Sequence, residues 1–240
     1  MNSEHESGAE RAAAPVDVDL GRVWVGVAAE VWRRRPGLVE RLAGRLLRSP
    51  GLARALVTTP SLLIGWIVAT AAVLLAGMLA TLETGTPYVA LLAPAVAAAG
   101  IAHAYGPGVD PAWELTCSVP VSDRLVLLVR ALAVFGLNAA LGLAASAASG
   151  TALTVTLGWL LPMTAVCALA LATATLARSA TVGIAAGVAG WLITILLSES
   201  ATGQVSAAVT ASVLWLPYLA FAACCVAIVL YTTRIPRGTT

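Results

Sequence analysis

The sequence predicts an all-α, polytopic membrane protein. Six transmembrane helices are expected, with an N-terminal interfacial amphipathic helix and a short cytoplasmic coupling helix in one loop. Three observations predict this. Hydrophobic residues make up 59% of the 240 and charged residues only 11%, against roughly 25% charged in an ordinary soluble domain, and the mean hydropathy is +0.90. Apolar runs reach the ~20 residues that a bilayer-crossing helix requires. Charge is also segregated: nine of the 14 basic residues, all Arg, fall within the first 60 positions.

Residues 1–19 are acidic and poor in large apolar groups. Lacking a basic start and an apolar run, they read as a disordered cytoplasmic tail and not as a secretory signal. Residues 20–60 differ. Val23, Trp24, Val27 and Val31 recur at helical spacing; after Arg33-Arg34-Arg35-Pro36 the pattern resumes with Leu38, Leu42, Leu46 and Leu56, interleaved with Arg41, Arg45 and Arg48. Arg stems snorkel while Leu and Trp enter the headgroup zone. This predicts one or two interfacial helices, against membrane lipid, interrupted at Pro36 and at Ser49-Pro50-Gly51.

Residues 61–240 read as the transmembrane domain. The expected spans are 61–81, 87–104, 125–149, 151–176, 181–198 and 208–232. Pro94, Pro162 and Pro217 interrupt the second, fourth and sixth, and a proline inside a span kinks or locally opens it. The turn at Ser149-Gly150 predicts a hairpin of the third and fourth spans. Positive charge marks cytoplasmic loops. With the N-terminus inside, every Arg lies in or beside an inner segment, whereas the outer loops hold Glu83 and Glu199. Both termini are therefore expected to be cytoplasmic, in a multi-pass protein of the plasma membrane.

Much chemistry is missing. The chain holds two His and four Cys, at 117, 167, 224 and 225, without zinc-ligand spacing, so no metal site is expected. No G-x-x-x-x-G-K-[ST] loop, G-x-S-x-G elbow or H-E-x-x-H pair occurs. No catalytic residues, and no nucleic-acid partner, are expected. Arg130 lies about 7.5 Å into the third span at 1.5 Å per residue, within reach of snorkelling or of an ion pair at the cytoplasmic end, where Arg124 also stands. Asn138, Thr154, Thr156, Thr164, Thr173 and Thr175 could line a polar pathway. Interhelical hydrogen bonds are the favoured reading, each worth about 0.6 kcal/mol. Gly183 and Gly187 form a small-residue face that permits close helix approach.

The loop from Tyr105 to Arg124 carries more information. Asp110 suits a helix cap and Pro111 a first helical position, and Pro120 ends the run. A two-turn helix from Pro111 to Val119 is predicted, presenting Trp113, Glu114 and Leu115 together. In order, Glu114, Pro120, Ser122 and Arg130 resemble the cytoplasmic loop of the type II ABC exporter permeases. In that family a Glu-bearing helix is followed by Pro, then Ser or Thr, then a basic residue in the next span. Ser49 to Leu56 and Thr59 to Leu62 resemble the entry to the first span in actinobacterial members. Val109-Asp110-Pro111 stands where the family often has an acidic-basic-acidic triplet. The resemblance implies a permease subunit that binds no cofactor itself. Two copies, or two related permeases, would pair to form the substrate pathway. Separate cytoplasmic ABC ATPase subunits, holding ATP and Mg, would dock on the loop through Pro111, Trp113, Glu114, Leu115 and Pro120. The alternative is a non-transporting membrane signalling or regulatory subunit built around the first 60 residues.

Overall fold

The computed structural model describes residues 19–33, 41, 44–45, 60–103 and 123–233. The chain divides into two units, Met1–Pro50 and Gly51–Thr240. The expected tail before Asp19, most of the expected interfacial segment after Pro36 and the C-terminal Arg234 and Arg237 lie outside the described residues.

In the first unit, α1 spans Leu20–Arg33. Asp19 caps it: the Arg22 backbone N–H donates to Asp19 Oδ1 at 3.0 Å, satisfying one of the donors that a helix start leaves open. Of the residues that recur at helical spacing here, Val23, Trp24 and Val27 are exposed.

The second unit is helical throughout its described length. Its elements are α2 (Pro60–Thr84), α3 (Tyr88–His103), α4 (Asp123–Ala148), α5 (Leu153–Gly158), α6 (Leu160–Ala177), α7 (Ala180–Thr202), α8 (Ala207–Thr210), a 3-10 turn (Ser212–Leu214) and α9 (Trp215–Thr232). Five stretches are long and apolar enough to cross a membrane: within α2, within α4, the α5–α6 pair, α7, and the 3-10 turn with α9. The chain is therefore a multi-pass, all-helical membrane protein in its described part. The remaining apolar helix, α3, has 16 residues, about 24 Å at 1.5 Å per residue, short of a ~30 Å hydrocarbon core.

α3 compensates for its length by position. It packs against α2, α4, α6 and α7, and Val89, Ala90, Ala93, Ala97, Ala98 and Ala102 are all buried. The run of Ala brings neighbouring backbones close. α6 is the other central helix and packs on α3, α7 and α9. Gly183 and Gly187 of α7 fulfil the small-residue expectation. A Cβ at Gly183 would lie 2.6 Å from Ala174 Cβ and 3.0 Å from Ala102 Cβ; one at Gly187 would lie 2.9 Å from Ala170 Cβ and 3.0 Å from Ala98 Cβ. α7 thus runs antiparallel to both α3 and α6, in contact with both.

Tight turns set the order of the bundle. Gly85, at φ +75°, turns α2 into α3, and the Tyr88 backbone N–H donates to Thr81 Oγ1 at 3.1 Å. Gly150, at φ +70°, makes the hairpin expected at Ser149-Gly150. These turns and the α7 register place Glu83 and Glu199 at one end of the bundle, and His103 and Arg178 at the other; all four are exposed.

Two proline expectations need correction. The fourth span does not open at Pro162 itself. It breaks at Trp159, between α5 and α6, because a proline ring clashes with the carbonyl four residues back, here that of Gly158. The sixth span does not run unbroken from Ala208. Ala211 is extended, the 3-10 turn follows, and α9 begins at Trp215. Pro217 consequently sits in the first turn of a new helix, where its missing N–H costs no internal bond.

Candidate functional site

The coupling residues expected from the sequence, Pro111, Trp113, Glu114, Leu115 and Pro120, lie outside the described residues, as does the side chain of Arg124. Their loop joins α3 to α4, two helices that pack on each other. Arg130 is half-buried on α4, one turn from the buried Val126 and Leu127.

The six candidate pathway residues are not brought together as one set. Thr154 is exposed on α5. Thr164 Oγ1 donates to the Leu161 carbonyl at 2.6 Å, and Thr173 Oγ1 to the Leu169 carbonyl at 2.8 Å. Thr175 does the same to Ala172 at 2.8 Å. Thr164, Thr173 and Thr175 thus bond their own helix, whereas Thr156 meets Ser146 across the α4–α5 hairpin. A helical hydroxyl finds the carbonyl three or four residues back within reach, so the first three require no second helix.

Asn138 is different. It is buried at 2% exposure. Its Nδ2 donates to the Val134 carbonyl of its own helix at 2.8 Å, and its Oδ1 has no hydrogen-bond partner. Gly142 and Ser146 follow on the same face of α4, at successive turns. At Gly142 a Cβ would lie 2.6 Å from Cη2 of Trp159 and 3.0 Å from its Cζ2. The glycine makes the slot that admits the indole. Trp159 is fully buried, and its Nε1–H also has no partner.

At Ser146 the face becomes a hydroxyl cluster. Ser146 Oγ lies 3.0 Å from Thr151 Oγ1 and 3.3 Å from Thr156 Oγ1, and the two threonine oxygens are 3.1 Å apart. Ser149 Oγ and Thr151 Oγ1 both donate to the Ser146 carbonyl, at 2.7 and 2.9 Å. The result is a buried polar seam along α4 and α5, from the Ser149-Gly150 turn past Trp159 to Asn138. Of its members, the sequence singled out Asn138 and Thr156. Ser146 was legible as a hydroxyl beside a tight turn, whereas nothing in the sequence marks Trp159 as the partner of Gly142.

The helix breaks meet beside this seam. A Cβ at Gly158 would lie 2.8 Å from the Val209 carbonyl oxygen, so α5 and α8 touch backbone to backbone. Across the break before α9, the Tyr218 hydroxyl donates to the Ala208 carbonyl at 2.9 Å. Among the described residues no group of three or more His, Cys, Asp or Glu is placed to hold a metal ion. Cys167 and Cys225 are buried as free thiols and Cys224 is exposed.

No family model, no curated protein and no solved structure matches the chain.

Proposed function

We propose that this chain is the transmembrane permease subunit of an ATP-binding-cassette exporter. It would span the plasma membrane six times with both termini cytoplasmic, α3 supplying the sixth crossing inside a sheath of protein. Two permease copies, or two related subunits, would form the pathway. Separate ATPase subunits, holding ATP and Mg, would dock on the 105–122 loop.

The observation that carries the reading is the attachment of that loop to α3. The segment with Trp113, Glu114 and Pro120 continues directly from the helix that packs on α2, α4, α6 and α7. A push on the loop would be delivered to the centre of the bundle and not to its rim. The charge placement agrees with the proposed orientation: Glu83 and Glu199 share one end and Arg178 the other, as the preference of basic residues for the cytoplasmic side requires. Exposed Trp and Leu are natural anchors for a partner's pocket, and Glu114 would fix orientation against a basic partner residue. On the cytoplasmic face, α1 would lie in the membrane interface, its Val23, Trp24 and Val27 toward lipid.

The test is coupling. Trp113→Ala and Glu114→Ala are expected to leave membrane insertion and pairing intact while lowering ATP-driven export and ATPase retention. Wild-type export and retention in both variants would contradict the proposal.

A second reading, a non-transporting signalling subunit, draws on the separate Met1–Pro50 unit. It predicts that deleting residues 1–50 abolishes function and that no ATPase is retained.

A further inference from the structure

A buried donor and a buried acceptor stand unsatisfied on the two segments that meet at Gly142. Asn138 is 2% exposed and Trp159 0%. Neither Asn138 Oδ1 nor Trp159 Nε1 has a hydrogen-bond partner. Gly142 links them. It lies one turn beyond Asn138 on the same face of α4, and the place of its missing Cβ is 3.0 Å from Trp159 Cζ2, two bonds from Nε1. Leaving either group bare in an apolar interior costs roughly 1–3 kcal/mol on protein mutational scales, and a bilayer offers no bulk water to relieve it.

Their complementarity selects the ligand. Asn138 Oδ1 accepts and Trp159 Nε1–H donates, so the bridging group must donate once and accept once. A hydroxyl does both. No acidic or basic side chain belongs to this seam, so the ligand is neutral. Toward the hairpin end the α4 face continues to Ser146, which meets Thr151 and Thr156 in a cluster of hydroxyls at 3.0–3.3 Å beside the Ser149-Gly150 turn.

We propose that Asn138 and Trp159 form an internal binding site for one small neutral hydroxyl, supplied by water or by the hydroxyl of a lipid, reached along the α4–α5 seam from the hairpin end. The site does not depend on the exporter reading, since it lies within one chain and uses no ATPase.

The experiment is nuclear Overhauser spectroscopy of the protein in lipid nanodiscs with its seven tryptophans labelled with 15N at the indole nitrogen. Trp159→Phe keeps an aromatic ring in the Gly142 slot and assigns the Trp159 resonance by its loss. The wild-type Trp159 indole proton is expected to show a cross-peak from a hydroxyl proton: at the water frequency if water fills the site, or at lipid hydroxyl or glycerol frequencies if lipid does. Asn138→Leu, which removes the acceptor, is expected to abolish that cross-peak while the Trp191 indole resonance stays in place. Trp191, which donates to a backbone carbonyl, is the internal control with no such peak. A Trp159 indole proton without a hydroxyl cross-peak in the wild type would overturn the site, as would a cross-peak of unchanged intensity in Asn138→Leu. The wild-type arm decides the matter even if Asn138→Leu fails to fold.

Discussion

The indole Nε1–H of Trp191 donates to the backbone carbonyl of Leu91, 100 residues upstream, at 2.6 Å. Leu91 lies in the turn before Pro94, whose missing N–H leaves the neighbouring Ala90 carbonyl without its helical donor, while α3 runs unbroken from Tyr88 to His103. α7 supplies a side-chain donor to the Leu91 carbonyl in that turn. The same α7 face lays Gly183 and Gly187 against Ala102 and Ala98, so packing and hydrogen bonding hold one register.

Trp191→Phe removes this donor and keeps most of the ring. A loss of about 0.6–1.7 kcal/mol is expected, from the average to the largest value measured for interhelical hydrogen bonds in a membrane protein. Reversible unfolding of the purified protein in mixed micelles measures it.

Glycine substitutions separate contact from propensity. Gly187→Leu would drive a side chain into Ala170 and Ala98 and is expected to prevent folding, read as loss of the monodisperse peak in size-exclusion chromatography. Gly136→Ala meets nothing within 4 Å on α4 and is expected to stabilise by about 0.5–1 kcal/mol, the usual Gly-to-Ala gain inside a helix. Equal effects at the two positions would contradict the α3–α6–α7 packing.

Orientation is testable from the two ends of the bundle. In a background with the native cysteines removed, Glu83→Cys and Glu199→Cys are expected to react with an impermeant maleimide added to intact cells. Arg178→Cys is expected to react only after permeabilisation. Labelling of position 178 from outside would reverse the proposed topology.

What the sequence made legible follows from periodicity and composition. Long apolar runs specify spans because a bilayer demands length and little else, and the Gly183/Gly187 spacing announced a close approach because only small residues permit it. The hydroxyls could not be sorted from the sequence. A Thr such as Thr173 looks the same in sequence whether it bonds a neighbour or its own Leu169 carbonyl, and the intrahelical bond is always in reach. The break at Trp159 was displaced from Pro162 because the proline acts on the carbonyl four residues earlier. Trp159 itself was hidden: an indole in a span suggests an interfacial anchor, and its slot exists only once Gly142, on another helix, is brought against it. The coupling loop was read from residue pattern alone.

The central claim is that the loop between α3 and α4 receives a separate ATPase. Cys117 already stands in that loop, within the proposed helix. The chain, with Cys167, Cys224 and Cys225 replaced by Ala, is to be treated in its native membranes with a short cysteine-to-amine crosslinker and then purified. The account predicts one crosslinked product joining it to an ATP-hydrolysing subunit, lost in Cys117→Ser and reduced in Trp113→Ala. Recovery of the chain with no ATPase, either crosslinked at Cys117 or retained in mild detergent without the crosslinker, would contradict it.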